Sequence, residues 1–164
     1  MISFAVYQYK EYKRLENVPM PSQLHPVVED KKDALIEAVE QIGVSIIITD
    51  GFRTTEEQKE LYALGRTAPG NIVTYAQGGE SYHNYGLAID FAIRLENGDV
   101  IWDIDYDGNN NGTADWTEVV ERAKQLGFEW GGDWHNFQDY PHLQMDFDLS
   151  IHDLQRGYRP DTEN

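Results

Sequence analysis

Two stretches of this chain hold the side chains that a hydrolytic metal site needs: Ser81-Tyr-His83-Asn-Tyr-Gly86-Leu-Ala88-Ile-Asp90 and, further along, Asp139-Tyr-Pro141-His142. The sequence has no cysteine, so a transition metal here must be held by His and carboxylate. Catalytic zinc takes three protein ligands and keeps one position open for water. His83, Asp90 and His142 can supply such a set if the strands of Asp90 and His142 are near neighbours and Gly86 lets the chain turn so that His83 reaches back. Asp139 precedes His142 closely enough to take a proton from the attacking water and return it to the departing amine. Arg53 stays charged at any working pH and presents donors in a fixed fork, which suits a developing oxyanion. Taken singly, each residue has a plainer use: a lone His is usually structural, Asp139 suits a turn before Pro141, and Arg53 suits a salt bridge. The joint spacing is what favours a metal. His25, His135 and His152 fall outside it and read as surface or packing residues, with His135 the one nearest the motif.

A second cation signal runs from Asp107 to Glu118. Asp107, Asn109, Asn111 and Asp115 place oxygen side chains at positions one, three, five and nine, Gly112 stands at six, and Glu118 at twelve. That is the pattern of a calcium loop, with Thr113 at position seven offering its backbone carbonyl. The same composition also suits a solvated Asn-Gly turn. A strand rather than a helix is expected before the loop, so it would be half of the usual helix-loop-helix hand.

Positioning these residues falls to a small set of elements. Residues 2 to 9 alternate as a strand. Pro26 opens a helix whose Ala34, Leu35, Ala38, Val39 and Ile42 share a face and which Gly43 ends. Val44 to Thr49 is a β-branched buried strand that delivers Arg53 at its end, and Thr54 or Thr55 then caps a short helix with Glu57 or Gln58. Residues 66 to 85 lack an apolar period and read as a long functional loop. Leu87, Ile89, Phe91 and Ile93 alternate with Asp90 on the opposite face, and Asn97-Gly98 turns the chain into Val100-Ile-Trp102. Trp116 to Leu126 is an amphipathic helix stopped by Gly127. Leu143, Met145 and Phe147 mark a final strand with His142, Gln144 and Asp146 on its other face.

Composition narrows the partners. At 164 residues, 40% hydrophobic and 12% aromatic, the chain suits one folded domain over residues 1–164. Its net charge of -16 opposes nucleic acid and anionic membrane surfaces. No apolar run is long enough to span a bilayer, and the opening Met1 to Tyr7 is too short and uncharged for a signal peptide. The expected setting is extracellular or at the cell wall, reached by an export segment outside this chain or by lysis.

The Ser-x-His-x-x-Gly-x-Ala-x-Asp run, Trp130-Gly-Gly-Asp-Trp134 and the Asp-x-Pro-His ending resemble the D-alanyl-D-alanine carboxypeptidase family of zinc peptidases. Within it they look most like the L-alanyl-D-glutamate endopeptidases of phage endolysins and bacterial wall hydrolases. The likeness extends from Val44 to Phe147 and includes Gly51-Phe-Arg53-Thr54, Gln58, Leu61-Tyr62-Ala63 and Gly65-Arg66. It implies zinc on His83, Asp90 and His142, a catalytic Asp139, an assisting Arg53, and Ser81 shaping the site or touching substrate. The related dipeptidases carry Glu where this chain has Asp139, a departure that suits the endopeptidase branch. The expected substrate is therefore the L-Ala-D-Glu bond of the peptidoglycan stem, with terminal D-Ala release as the alternative and a monomer as the working unit. A non-catalytic wall-binding or signalling module that keeps zinc for structure is the reading from another class; Asp139 and Arg53 beside the ligands tell against it. The expected fold is α+β, a small central antiparallel sheet with helices on one side and the zinc cleft on the other.

Overall fold

The computed structural model describes Val6, Lys13, Leu15 and residues 17–162. The strand expected over residues 2–9 lies outside them apart from Val6, which is helical. In chain order come α1 (Pro26–Glu40), β1 (Ile46–Asp50), α2 (Thr55–Ala63), β2 (Ala88–Arg94), β3 (Val100–Ile101), α3 (Asp115–Gln125), β4 (Glu129–Trp130), β5 (His142–Gln144) and α4 (Ile151–Gln155). Two 3-10 turns, Tyr82–Tyr85 and Gly131–Asp133, flank the elements that carry the site.

The strands form one antiparallel sheet in the order β1-β2-β5-β4, with β3 also paired to β2. β2 is central, and its alternation divides the molecule. Ile89, Phe91 and Ile93 belong to a core shared with Val28, Leu35 and Val39 of α1 and Trp116, Val119 and Ala123 of α3. Phe91 and Trp116 meet with ring centroids 4.5 Å apart. On the other face, Ala88 and Ala92 are fully buried and flank Asp90, so small side chains leave room for the carboxylate and its partners. The architecture is the expected α+β sheet, although α2 borders the cleft, which its Leu61 helps to line.

The boundaries follow local chemistry. Pro26 occupies the first turn of α1. Thr54 caps α2 in a full capping box with Glu57. The final strand is shorter than the Leu143, Met145, Phe147 alternation suggests. It stops at Gln144, and Phe147 and Asp148 take positive φ of 53° and 59°, a conformation that no strand can continue through. Ser150 and Asp153 then box the start of α4, an element the sequence pattern did not bring out.

Candidate metal centre and catalytic cleft

The Ser-x-His-x-x-Gly-x-Ala-x-Asp run is a positioning device. Ser81 caps the 3-10 turn by accepting from the His83 backbone N–H at 3.3 Å. Asn84 ties the same turn to the strand end by donating to the Arg53 carbonyl at 3.0 Å, while Arg53 N–H donates to the His83 carbonyl at 3.1 Å. Gly86 then reverses the chain at φ 69°, where a Cβ would overlap the Gln23 carbonyl. That conformation and that close approach both require glycine. In the sheet, Asp90 is paired directly with His142, and with Asp50 on the other side.

Three ligand atoms converge as a result. His83 Nε2 lies 3.2 Å from Asp90 Oδ1, His142 Nδ1 lies 3.2 Å from the same oxygen, and the two nitrogens are 3.2 Å apart. Ligands about 2.0 Å from a tetrahedral ion stand about 3.3 Å from one another, so these atoms form one face of such a polyhedron and leave its fourth corner toward the cleft. The far side of each imidazole is also fixed. His83 Nδ1 donates to the Gly51 carbonyl at 2.6 Å. His142 Nε2 donates to Gln144 Oε1 at 3.0 Å, and Gln144 is oriented by donating its own N–H to Glu129 at 3.1 Å. Outer partners of this kind hold the tautomer that turns a lone pair to the metal. Among the described residues, this is the group of three or more His, Asp or Glu whose ligand atoms gather so closely.

Electrostatics match the geometry. Burial works against a charged Asp90, but the His142 and His83 rings that face its carboxylate outweigh it and hold the carboxyl far below its ordinary range. Burial likewise disfavours a charged His142, and Asp90 more than compensates, so its pKa rises. Asp139 behaves oppositely: burial pushes its carboxyl up, an effect His142 opposes and Asp90 reinforces. Asp139 lines the same cleft of about 680 Å³ as the three ligands, with Arg53, Ser81, Gln144 and Trp134. Gly131 explains the glycine run beside it, because a Cβ there would press on both Asp139 and His142. The carbonyl of Tyr140, between those two, accepts from Trp130 Nε1 at 2.7 Å and Trp116 Nε1 at 3.3 Å. Two indoles thus anchor the turn that carries Asp139 and His142.

Arg53 sits 4.0 Å from Asp90 Oδ2 and is braced by an ion pair to Asp50 and a 2.7 Å bond to Gln58 Oε1. It is both salt-bridged and in the cleft. His135 is exposed, and neither it, His25 nor His152 joins the ligand group.

The D-alanyl-D-alanine carboxypeptidase family matches residues 74–145, a span that contains all three converging ligands and Asp139. The peptidoglycan L-alanyl-D-glutamate endopeptidase CwlK of Bacillus subtilis is 58% identical over 143 residues, 87% of this chain and 86% of that protein. The chain belongs to the D-alanyl-D-alanine carboxypeptidase family of peptidases. An L-alanyl-D-glutamate peptidase of a Listeria phage is 32% identical over 136 residues, covering 78% of this chain and 37% of the phage protein. Among solved structures, the L,D-carboxypeptidase DacB of Streptococcus pneumoniae shares the fold at TM-score 0.53 and 21% identity, over 81% of this chain and 70% of that one. The sequence pattern did not bring out Asp50, Gln144 and Glu129 as braces, and offered Gln58 as a capping residue and as part of a likeness, whereas Glu57 completes the cap and Gln58 braces Arg53.

The loop from Asp107 to Glu118 is closed on itself. Asp107 accepts from Asn111 and Gly112 N–H at 3.1 and 2.9 Å, Asp115 from Gly108 N–H at 3.1 Å, and Glu118 from the amides of Asn109 and Asn111 at 2.8 and 3.0 Å. Thr113 donates its N–H to Asn111 Oδ1 at 2.8 Å. Among the described residues, the carboxylates of Asp107, Asp115 and Glu118 do not gather as His83, Asp90 and His142 do, and Asn109 and Asn111 turn amide nitrogens rather than oxygens toward Glu118; Asp115 and Glu118 are buried.

Proposed function

We propose that this chain hydrolyses the amide bond between L-Ala and D-Glu in the peptidoglycan stem, using zinc held by His83, Asp90 and His142. The observation that carries the reading is an intact three-ligand face opening on a cleft with Asp139, in a chain 58% identical to CwlK. When bound, zinc polarises the scissile carbonyl and makes water a nucleophile at neutral pH. Asp139 accepts the proton from that water at its carboxylate and delivers it to the departing D-Glu nitrogen. Burial, which raises its pKa, suits a group that must both take and return a proton. Arg53, locked by Asp50 and Gln58, adds fixed positive charge beside the reacting carbonyl. Ser81 keeps His83 on its turn.

We further propose that calcium occupies the Asp107–Glu118 loop through Asp107, Asn109, Asn111, the Thr113 carbonyl, Asp115 and Glu118, as a structural ion. The protein acts as a monomer at the cell wall, reached by export or lysis. Mass spectrometry of defined muropeptides after incubation with the zinc-loaded protein tests the bond. Products with L-Ala left on muramic acid and a new N-terminal D-Glu are expected. Release of free D-Ala alone would move the activity to the carboxypeptidase type.

A further inference from the structure

The rim of the cleft carries apolar surface that the metal chemistry does not use. Tyr75 is 66% exposed, Val73 54% and Phe137 47%. Tyr75 and Phe137 come from different segments, yet their rings meet edge to face with centroids 5.3 Å apart. All three residues line the same cleft as the metal ligands. Burying them would satisfy the hydrophobic effect better, so a contiguous exposed aromatic cluster at a cleft marks a binding surface.

The rim is built. Arg66 donates to the carbonyls of Tyr62 at 2.6 Å and Thr74 at 3.0 Å, with its guanidinium 3.9 Å above the Tyr62 ring and 5.7 Å from that of Tyr75. Gln58, fully buried, donates to the Ala76 carbonyl at 2.8 Å while its oxygen holds Arg53. The Tyr75 segment is therefore tied to the catalytic arginine through one side chain. On the opposite side, Gln138 donates to the Gly132 carbonyl at 3.0 Å, and Trp134 packs 5.1 Å from the His142 ring. Phe137 lies between Trp134 and Asp139.

The occupant follows from the substrate's covalent structure, and so rests on the proposed bond. In the stem, the nitrogen of L-Ala is joined to the lactyl group of muramic acid. With the L-Ala carbonyl at the metal centre, one residue and one lactyl unit separate it from the sugar ring, about 7 Å at about 3.6 Å per extended residue. A pyranose must then lie at the rim of the cleft. Its C–H face is apolar and gains by leaving water against an aromatic surface. The lactyl carboxyl is consumed in the amide, so this sugar brings no negative charge toward a chain of net charge -16.

We propose that Tyr75 and Phe137, with Val73 beside them, form the platform for the muramyl sugar that bears the stem peptide. The full chain loaded with zinc tests this on two substrates that share one L-Ala-γ-D-Glu-diamino acid peptide. One carries N-acetylmuramic acid on the L-Ala nitrogen, and the other carries only an acetyl cap, so both are uncharged there. The wild type should favour the muramyl form about tenfold in kcat/KM, mainly through KM, for a contact of this size. The double variant Tyr75→Ala/Phe137→Ala should bring the ratio close to one. Tyr75→Phe and Phe137→Tyr, which keep the rings, should preserve it. Because each ratio is internal to one preparation, a loss of folded enzyme cannot imitate the effect. Equal kcat/KM on the two substrates in the wild type, or a double variant that keeps the preference, overturns the platform while leaving the bond assignment intact. Failure of the wild type to cut either substrate between L-Ala and D-Glu overturns the bond assignment and the platform with it.

Discussion

At the scale of single residues, the proposed ligands and the proposed base differ in what they touch, and variants should separate them. His83, Asp90 and His142 meet at 3.2 Å, so His83→Ala, Asp90→Ala or His142→Ala should each abolish stoichiometric zinc as read by atomic emission. Asp139→Ala should keep zinc and lose about 10² to 10⁴ in turnover, the usual contribution of a general base; zinc loss in that variant would reassign it as a ligand. Gln144 belongs to the ligand side of this division, because it holds His142 through a 3.0 Å bond. Gln144→Ala should weaken zinc binding about 10- to 100-fold in a competitive chelator titration, and Gln144→Glu should also weaken it, because it keeps the acceptor for His142 but loses the N–H donated to Glu129 and sets two carboxylates together. The gathering of His83, Asp90 and His142 was legible in the sequence because His and Asp at such spacing carry information. Gln144, Gln58 and Asp50 were not, since amides and surface carboxylates occur everywhere and only the fold shows what theirs touch.

At the scale of elements, turns and caps were readable where one residue type was obligatory. Gly86, Thr54 with Glu57, Asn97-Gly98 and Gly127 each fall where the chain requires them. The two-residue β4 was not readable, being set by pairing rather than by pattern, whereas β3, equally short, was announced by the Asn97-Gly98 turn into Val100-Ile-Trp102. The truncated β5 shows the reverse error, an alternation through Met145 and Phe147 that tertiary geometry cuts short. Gly86→Ala combines a left-handed conformation with overlap on the Gln23 carbonyl. It should lower stability by more than the roughly 1 kcal/mol typical of a point variant, seen as a drop in the urea midpoint, and should lower zinc affinity because His83 hangs on that turn. For the loop before α3, Glu118 supplies the carboxylate on which both Asn amides converge. Millimolar calcium should raise the melting temperature of the wild type and not of Glu118→Gln, with magnesium at equal ionic strength as the control and zinc content unchanged in both. An affinity of about 10⁻⁴ to 10⁻³ M is expected, because two of its ligands are neutral amides. No shift with calcium, or an equal one with magnesium, would make the loop an ordinary turn.

At the scale of the whole molecule, the proposed metal site would also act as a clasp. Its ligands come from the 3-10 turn before β2, from β2 and from β5, and their outer partners reach the end of β1 at Gly51 and, through Gln144, Glu129 of β4. Four strands and the turn are therefore tied at one point. A metal that binds the folded chain and not the unfolded one stabilises it by mass action, about 4 kcal/mol at a thousandfold excess over Kd. For a chain of this length each 1 kcal/mol is about 2 to 4 °C in melting temperature. Removing zinc with a chelator should thus lower the transition by about 8 to 16 °C, and restoring zinc should return it. Asp90→Ala should melt at one temperature with or without zinc, since the carboxylate that both imidazoles face is gone. Asp139→Ala should retain the full zinc-dependent shift while inactive, because it lines the cleft beside the clasp and forms no part of it. A zinc-dependent shift that persists in Asp90→Ala, or one that disappears in Asp139→Ala, would show that the ion is held by a different set of side chains.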